Sequence, residues 1–256
     1  MSDTTNPDTM PLEDYLAQGG VLTAPGNVPA RYRGELMRLM ASFVDSELAG
    51  SAGFADTINA APGIKQRIAA SRITLEKADH AERVLAVMGS FGTDTDRYQV
   101  QHDWAARVAR DADLGAVRTG GDMRLSVFHY PLQGWTDAVV MNVLMGLATG
   151  VQLAELARVS YAPLAEVFRA IAPREARHAE LGLEALAQIA TTDDGRAAAR
   201  KAIAYWQPRV AATFGNAGSA RYATQARFGL RHTPNEALLA EWTALVAARL
   251  TPLDLI

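Results

Sequence analysis

The chain has no cysteine, which removes disulfides, thiolate-held metals, iron–sulfur clusters and cysteine nucleophiles from its chemistry. Any metal must be held by imidazoles and carboxylates. Alternating β-branched runs are almost missing, so a sheet-based core has little support. The 25 Lys and Arg are scattered among 28 Asp and Glu, without the basic stripe that a nucleic-acid partner requires. Apolar runs such as 138–147 give way to Gln152, Glu155 and Arg158 and read as too short to cross a bilayer. The first thirty residues hold Pro7, Pro11, Pro25 and Pro29 and lack the charged and apolar regions of a secretory signal. A cytoplasmic protein with neither a membrane nor a nucleic-acid partner is the expectation.

Nearly half of the 256 residues, 49%, are hydrophobic, enough for a sizeable core without covalent staples. Residues 1–29 read as a flexible N-terminal arm and 30–256 as one helical domain. From Tyr32 onward apolar residues recur at helical spacing, and Pro and Gly fall mostly at joints. The pattern predicts helices over 30–49, 64–90, 94–111, 132–159, 161–189, 193–214 and 235–250, with Pro208 bending or breaking the sixth. The first two form an antiparallel pair. Residues 115–130, with Gly120 and Gly121, read as an irregular excursion.

Positions three and four apart share a helix face, so each apolar stripe can be read for what interrupts it. Met40, Phe43, Glu47 and Gly50 make one stripe; Ile73, Lys77, His80, Val84 and Val87 make the next, with Glu76 at its flank. Val139, Asn142, Gly146, Thr149 and Leu153 make a third. Leu164, Phe168, Ile171, Glu175, His178 and Ala185 make the fourth. Glu175 and His178 form a Glu-x-x-His turn, and Lys77 and His80 repeat that spacing with an ammonium in place of the carboxylate. Two such turns, with one carboxylate from each of two further helices, build the di-iron site of ferritin-like bundles. The fold class is therefore all-α: a ferritin-like helical bundle with extra C-terminal helices.

Buried charges are costly unless paired or bound to metal, so their convergence on one core needs a common explanation. Two stay open. In one, Glu47, His80, Glu175 and His178 ligate iron or manganese, with Glu76 either a substitute for the lost ligand or a solvated or helix-pairing residue. In the other, Lys77 supplies the positive charge and forms a buried ion-pair cluster with Glu47 and Glu175. Asn142 reads as a core amide bonded to a backbone carbonyl, and Pro173 should kink its helix just before Glu175. His102, His129 and His232 have no companions at ligand spacing and read as surface or satisfied histidines. Arg174 and Arg177 face away from the site, toward a partner or a neighbouring acid.

Several segments carry a family likeness: Tyr32-Arg33 through Asp45-Ser46-Glu47; Glu76-Lys77-Ala78-Asp79-His80; Phe128-His129-Tyr130-Pro131 with Gly134-Trp135-Thr136-Asp137; Ser160-Tyr161-Ala162-Pro163; Arg174-Glu175-Ala176-Arg177-His178; and Tyr205-Trp206-Gln207-Pro208 with Phe214-Gly215. In order and spacing, from Ala30 to Gly215, they resemble the catalytic subunit of the bacterial phenylacetyl-CoA epoxidase family, the ring-oxygenating component of phenylacetate breakdown. That resemblance implies a di-iron monooxygenase acting on an aryl-CoA thioester. It also implies assembly as a homodimer or with a related ferritin-like subunit, together with a reductase that supplies electrons. Carried over, the retained ligands are Glu47, His80, Glu175 and His178. A bridging carboxylate has become Lys77, and an acid on the third long helix has become Gly146, a lost ligand position. Either no metal or a single iron or manganese is implied in place of a di-iron centre. On this reading Gly146 enlarges a substrate pocket, and Lys77→Glu with Gly146→Asp is the smallest change that could restore two metals.

Overall fold

The computed structural model describes residues 10–114 and 120–256. Among the described residues nine α-helices follow in order: α1 (Leu12–Ala17), α2 (Ala30–Ala55), α3 (Ile64–Ser90), α4 (Thr95–Tyr98), α5 (Gly134–Leu156), α6 (Ala162–Ile189), α7 (Asp193–Ala211), α8 (Ala220–Arg227) and α9 (Asn235–Leu250). There is no strand among them, and Leu22 and Tyr161 form one isolated bridge. The four long helices α2, α3, α5 and α6 make a ferritin-like bundle: α2 lies along α3, α5 along α6, and α3 meets α6 across the middle. The extra C-terminal helices α7 and α9 cover the outer side of α5.

Sequence punctuation explains the joints. Pro163 occupies the first turn of α6, where its missing N–H costs no helical bond. Gly92, at φ 89°, turns the chain after α3. Thr192 caps α7 by accepting the Gly195 N–H. No break occurs at Pro208: it lies inside α7, as Pro173 lies inside α6. Packing on both sides outweighs the single backbone bond that each proline removes. Within the segment expected as an arm, Leu16 and Leu22 are buried, and the Leu22 N–H donates to the Ser160 carbonyl at 2.7 Å.

The helix expected over 94–111 is one turn, Thr95–Tyr98. Past it, side chains take the carbonyls that helix continuation would use. Trp104 Nε1 donates to Gln99 O (2.6 Å), Arg107 Nη1 to Trp104 O (2.7 Å) and Arg124 Nη2 to Asp103 O (2.9 Å). Such competition lets polar sequence leave a helix despite favourable spacing. Of the excursion expected over 115–130, residues 115–119 lie outside the described residues. α8 is not legible in the sequence, because its eight residues include none that is buried and so no apolar stripe.

The reading that no apolar run reaches membrane length needs correction. The 23 residues of α5 are long and apolar enough by length and composition, and 67% of the most apolar window is buried inside the protein. α5 is apolar all round because α6, α7 and α9 pack on it. Its charged ends are held by protein groups. Near its start Asp137 accepts from Arg110 (2.8 and 3.0 Å), Trp206 Nε1 (2.9 Å) and the Gln133 N–H (2.9 Å). Near its end Glu155 accepts from the His232 and Thr233 N–H groups at 2.7 and 2.9 Å.

Asp137 therefore fixes α5, α7 and the crossover together. Asp137→Ala should lower the unfolding free energy in urea by about 3 kcal/mol, the cost of leaving a largely buried guanidinium and an indole N–H unpaired. A loss below about 1 kcal/mol, the range of an exposed pair, would show that water replaces the carboxylate.

Candidate functional site: a charged cluster inside the bundle

Three helices bring their interrupted stripes to one place. α2 supplies Glu47, α3 supplies Lys77 and His80, and α6 supplies Glu175 and His178, each no more than 4% exposed. Lys77 Nζ lies 3.1 Å from Glu47 Oε1 and 3.2 Å from Glu175 Oε1, so the ammonium bridges α2 and α6. Gly50 makes room for it: a Cβ there would stand 3.3 Å from Lys77 Cδ and 3.2 Å from the Phe128 ring.

Glu175 Oε1 is the hub. His80 donates to it from Nδ1 at 3.0 Å, and His178 Nδ1 lies 3.3 Å away without forming a hydrogen bond. His178 spends its donor elsewhere, from Nε2 to Glu76 Oε2 at 2.7 Å. The two rings stack, centroids 5.8 Å apart. Glu76 thus joins the site by holding His178 across the helix gap, although sequence spacing puts it at the flank of His80. Asn142 takes the role expected of it, donating from Nδ2 to the His178 carbonyl at 2.9 Å.

The electrostatics follow from burial and pairing. Burial pulls the Lys77 ammonium down, but Glu175 and Glu47 outweigh it and hold its pKa above the ordinary lysine value. Burial likewise opposes a charged His80, and the Glu175 and Glu47 carboxylates beside it raise its pKa in net. Glu175 goes the other way: burial would raise it, but the Lys77 charge and the two imidazoles keep it well below the usual glutamate range.

Gly146 lies where α5 could have presented an acid. A Cβ at that position would stand 3.0 Å from Ala179 Cβ and 3.2 Å from Ala179 Cα, so α5 and α6 have closed on each other there. Among the described residues Gly146 makes this close contact with Ala179 and does not line the cavity that its neighbours Met145 and Thr149 border. The cavity beside the cluster lies further along α5. It measures about 580 Å³, reaches Glu47, and is lined by Phe43, Phe128, Met145 and Thr149 among others, with Arg38, Arg221 and Arg231 at its polar parts. Sequence reading also misses what Asp45 and Ser46 do. Asp45 accepts from Tyr98 OH (2.8 Å) and the Met123 N–H (2.7 Å), and Ser46 Oγ accepts from the Leu125 N–H (3.0 Å). The turn that carries Glu47 therefore also pins the cavity wall. Their only signal is a polar triplet on an otherwise apolar helix.

The remaining candidates lie apart from the cluster. His102 packs edge-on to Trp104, and His232 Nε2 lies 3.1 Å from the Arg158 carbonyl. Arg174 pairs with Asp79, and Arg177 with Glu180 and Glu184.

Glu47, His80 and Glu175 each offer a ligand atom within 4.8 Å of the other two, a group able to hold one metal ion. Glu47 Oε2 and His80 Nε2 are buried without hydrogen-bond partners. A second ion does not fit: the Lys77 ammonium stands between the two carboxylates that would bridge it, and the α5 side offers Gly146 against Ala179.

A family model described as phenylacetic acid catabolic protein matches residues 20–255. The chain is also similar to a 1,2-phenylacetyl-CoA epoxidase subunit of Escherichia coli (strain K12), at 25% identity over 180 residues, which is 70% of this chain and 53% of that protein. The chain thus spans about half the length of this curated relative.

Lys77→Met should cost about 3–5 kcal/mol of stability, since it leaves two buried carboxylates without their cation. The pH dependence has a definite sign. Glu175 has a lowered native pKa, so its contribution is complete above the unfolded value of about 4.3 and is lost as pH falls below it. Glu175→Gln should flatten that acid limb in a urea-stability profile; an unchanged limb would remove Glu175 from the linkage.

Proposed function

The chain belongs to the phenylacetic acid catabolic protein family, and on that premise we propose that it is one component of a phenylacetate-degradation-type oxygenase and binds an aryl- or acyl-CoA thioester beside a metal-free charge cluster. The observation that carries this reading is Lys77 Nζ at 3.1 and 3.2 Å from the carboxylates of α2 and α6. A cation held there by two buried carboxylates does the electrostatic work that a metal would do, and it repels a metal ion. Lys77 already offsets part of the buried carboxylate charge, which weakens the attraction of the cluster for a divalent ion.

The cavity supports the ligand class. Its apolar part, between Phe43, Phe128 and Met145, suits an acyl or aryl group, and Arg38, Arg221 and Arg231 offer positive charge for phosphates. Glu47 lines the cavity and so brings the cluster to its edge. The Escherichia coli relative is one subunit of its epoxidase, which supports assembly with a related ferritin-like chain; a homodimer is the other arrangement, and a reductase would serve either.

One observation favours a second reading, a single iron or manganese: three donors, Glu47, His80 and Glu175, converge within 4.8 Å. A bound ion would supply oxygen-activating redox chemistry. This chain's residues would then hold it, with Glu76 fixing the His178 ring beside it, and the Lys77 ammonium would have to leave its carboxylates.

Elemental analysis of protein expressed with iron and manganese should find substoichiometric metal, and phenylacetyl-CoA should bind in a calorimetric titration that Thr149→Trp abolishes. One equivalent of metal in the unmodified chain, lost in His80→Ala, would replace the metal-free reading with the single-ion one. Lys77→Glu with Gly146→Asp should still not load two metals after anaerobic reconstitution, because the added side chain meets the α6 backbone. Two equivalents would show that α5 and α6 separate more readily than their contact implies.

A further inference from the structure

A second pocket, of about 160 Å³, opens between the start of α3 and the end of α6 and shares no lining residue with the larger cavity. Small side chains make it: Ala69 and Ala70 on α3, Ala138 on α5, and Gly182 and Ala185 on α6, with Ile73 and Trp135 completing an apolar wall. Its floor is Asn142, the amide that holds the His178 carbonyl. Gly182 is needed there, since a Cβ would come within 2.5 Å of Asn142 Nδ2.

The mouth is charged. Lys65 and Glu184 both line it, but Glu184 is engaged by Arg177 Nη1 at 2.9 Å, whereas Lys65 forms no ion pair among the described residues. The uncommitted charge is therefore positive. Lys65 also sits in the first turn of α3, whose N-cap Gly63 supplies no side-chain bond, so the helix dipole adds to the same sign. A dry apolar cavity of similar size accepts a benzene-sized guest, so the body that fits has about six to eight carbons.

We propose that this pocket binds a small carboxylic acid, its compact apolar body against Ala69, Ile73 and Ala185 and its carboxylate at Lys65. The ligand is a free acid, distinct from the CoA thioester assigned to the larger cavity. Its inner end rests on the amide that also positions His178.

Titration of the full chain by protein-observed NMR, with hexanoate, phenylacetate and the uncharged control toluene, tests this. All three should bind saturably. Lys65→Gln should weaken the two carboxylates about threefold, as for an exposed ion pair, and leave toluene unchanged. Ala69→Leu, which fills the pocket, should abolish all three with an unaltered circular dichroism spectrum; Ala185→Leu serves the same purpose if the first variant fails to fold. Thr149→Trp, in the larger cavity, should leave binding intact. Absence of saturable binding, persistence in a folded pocket-filling variant, or loss in Thr149→Trp would overturn the site. Equal weakening of toluene by Lys65→Gln would overturn its anionic end.

Discussion

One ammonium group sets the geometry of the bundle interior. Lys77 reaches from α3 to carboxylates on α2 and α6, and in a low-dielectric core buried carboxylates are costly without such a partner. Pairing this close fixes the separation of three helices more tightly than apolar contact does, because an ion pair has a preferred distance and apolar packing is tolerant of repacking. The rest of the site follows from that distance. His80 and His178 are brought beside the same oxygen, Glu76 is recruited to the outer nitrogen of His178, and the backbone of α6 is tied to α5 through Asn142.

On the α5 side, shape replaces charge. Three helices contribute ionisable groups to the core, while α5 contributes a glycine that lets Ala179 approach and an amide that bonds to a carbonyl. The asymmetry has a physical logic. Lys77 faces two fully buried carboxylates, with the partly exposed Glu76 beyond His178, and a further buried carboxylate from α5 would add charge that burial disfavours. The absence of an acid at residue 146 and the presence of a lysine at residue 77 are thus mutually consistent in charge and in packing. The space that an acid would have needed has been taken by closer contact between α5 and α6.

Much of this was legible in the sequence, for reasons that differ by feature. The α3 boundaries, 64–90, were readable because Gly63 and Gly92 bracket a run of helical spacing that holds no proline. The residues that meet in the core were readable because a charged side chain inside an apolar stripe has few places to go. The failures fall where side chains bond to main chain. The 94–111 segment has helical spacing but surrenders its carbonyls to Arg107, Arg124 and Trp104, and no local pattern announces a partner as distant in the chain as Arg124. Gly146 failed differently: a missing side chain can mean a pocket or a close contact, and only the position of Ala179 decides between them.

The same logic separates the two ways in which this core could treat a cation. A metal ion and a lysine ammonium both neutralise facing carboxylates, but the ammonium is tethered, carries one charge and donates at most three hydrogen bonds. It donates to one oxygen of Glu47, at 3.1 Å, and to both of Glu175, at 3.2 and 3.5 Å, and leaves Glu47 Oε2 without a hydrogen bond among the described residues. Glu47 lines the larger cavity, so the cluster held by Lys77 stands at the edge of that space, with the second Glu47 oxygen 3.4 Å from His80 Nδ1. A polar group at the rim of a largely apolar cavity fixes the orientation of what enters it, which a staple buried in solid packing does not.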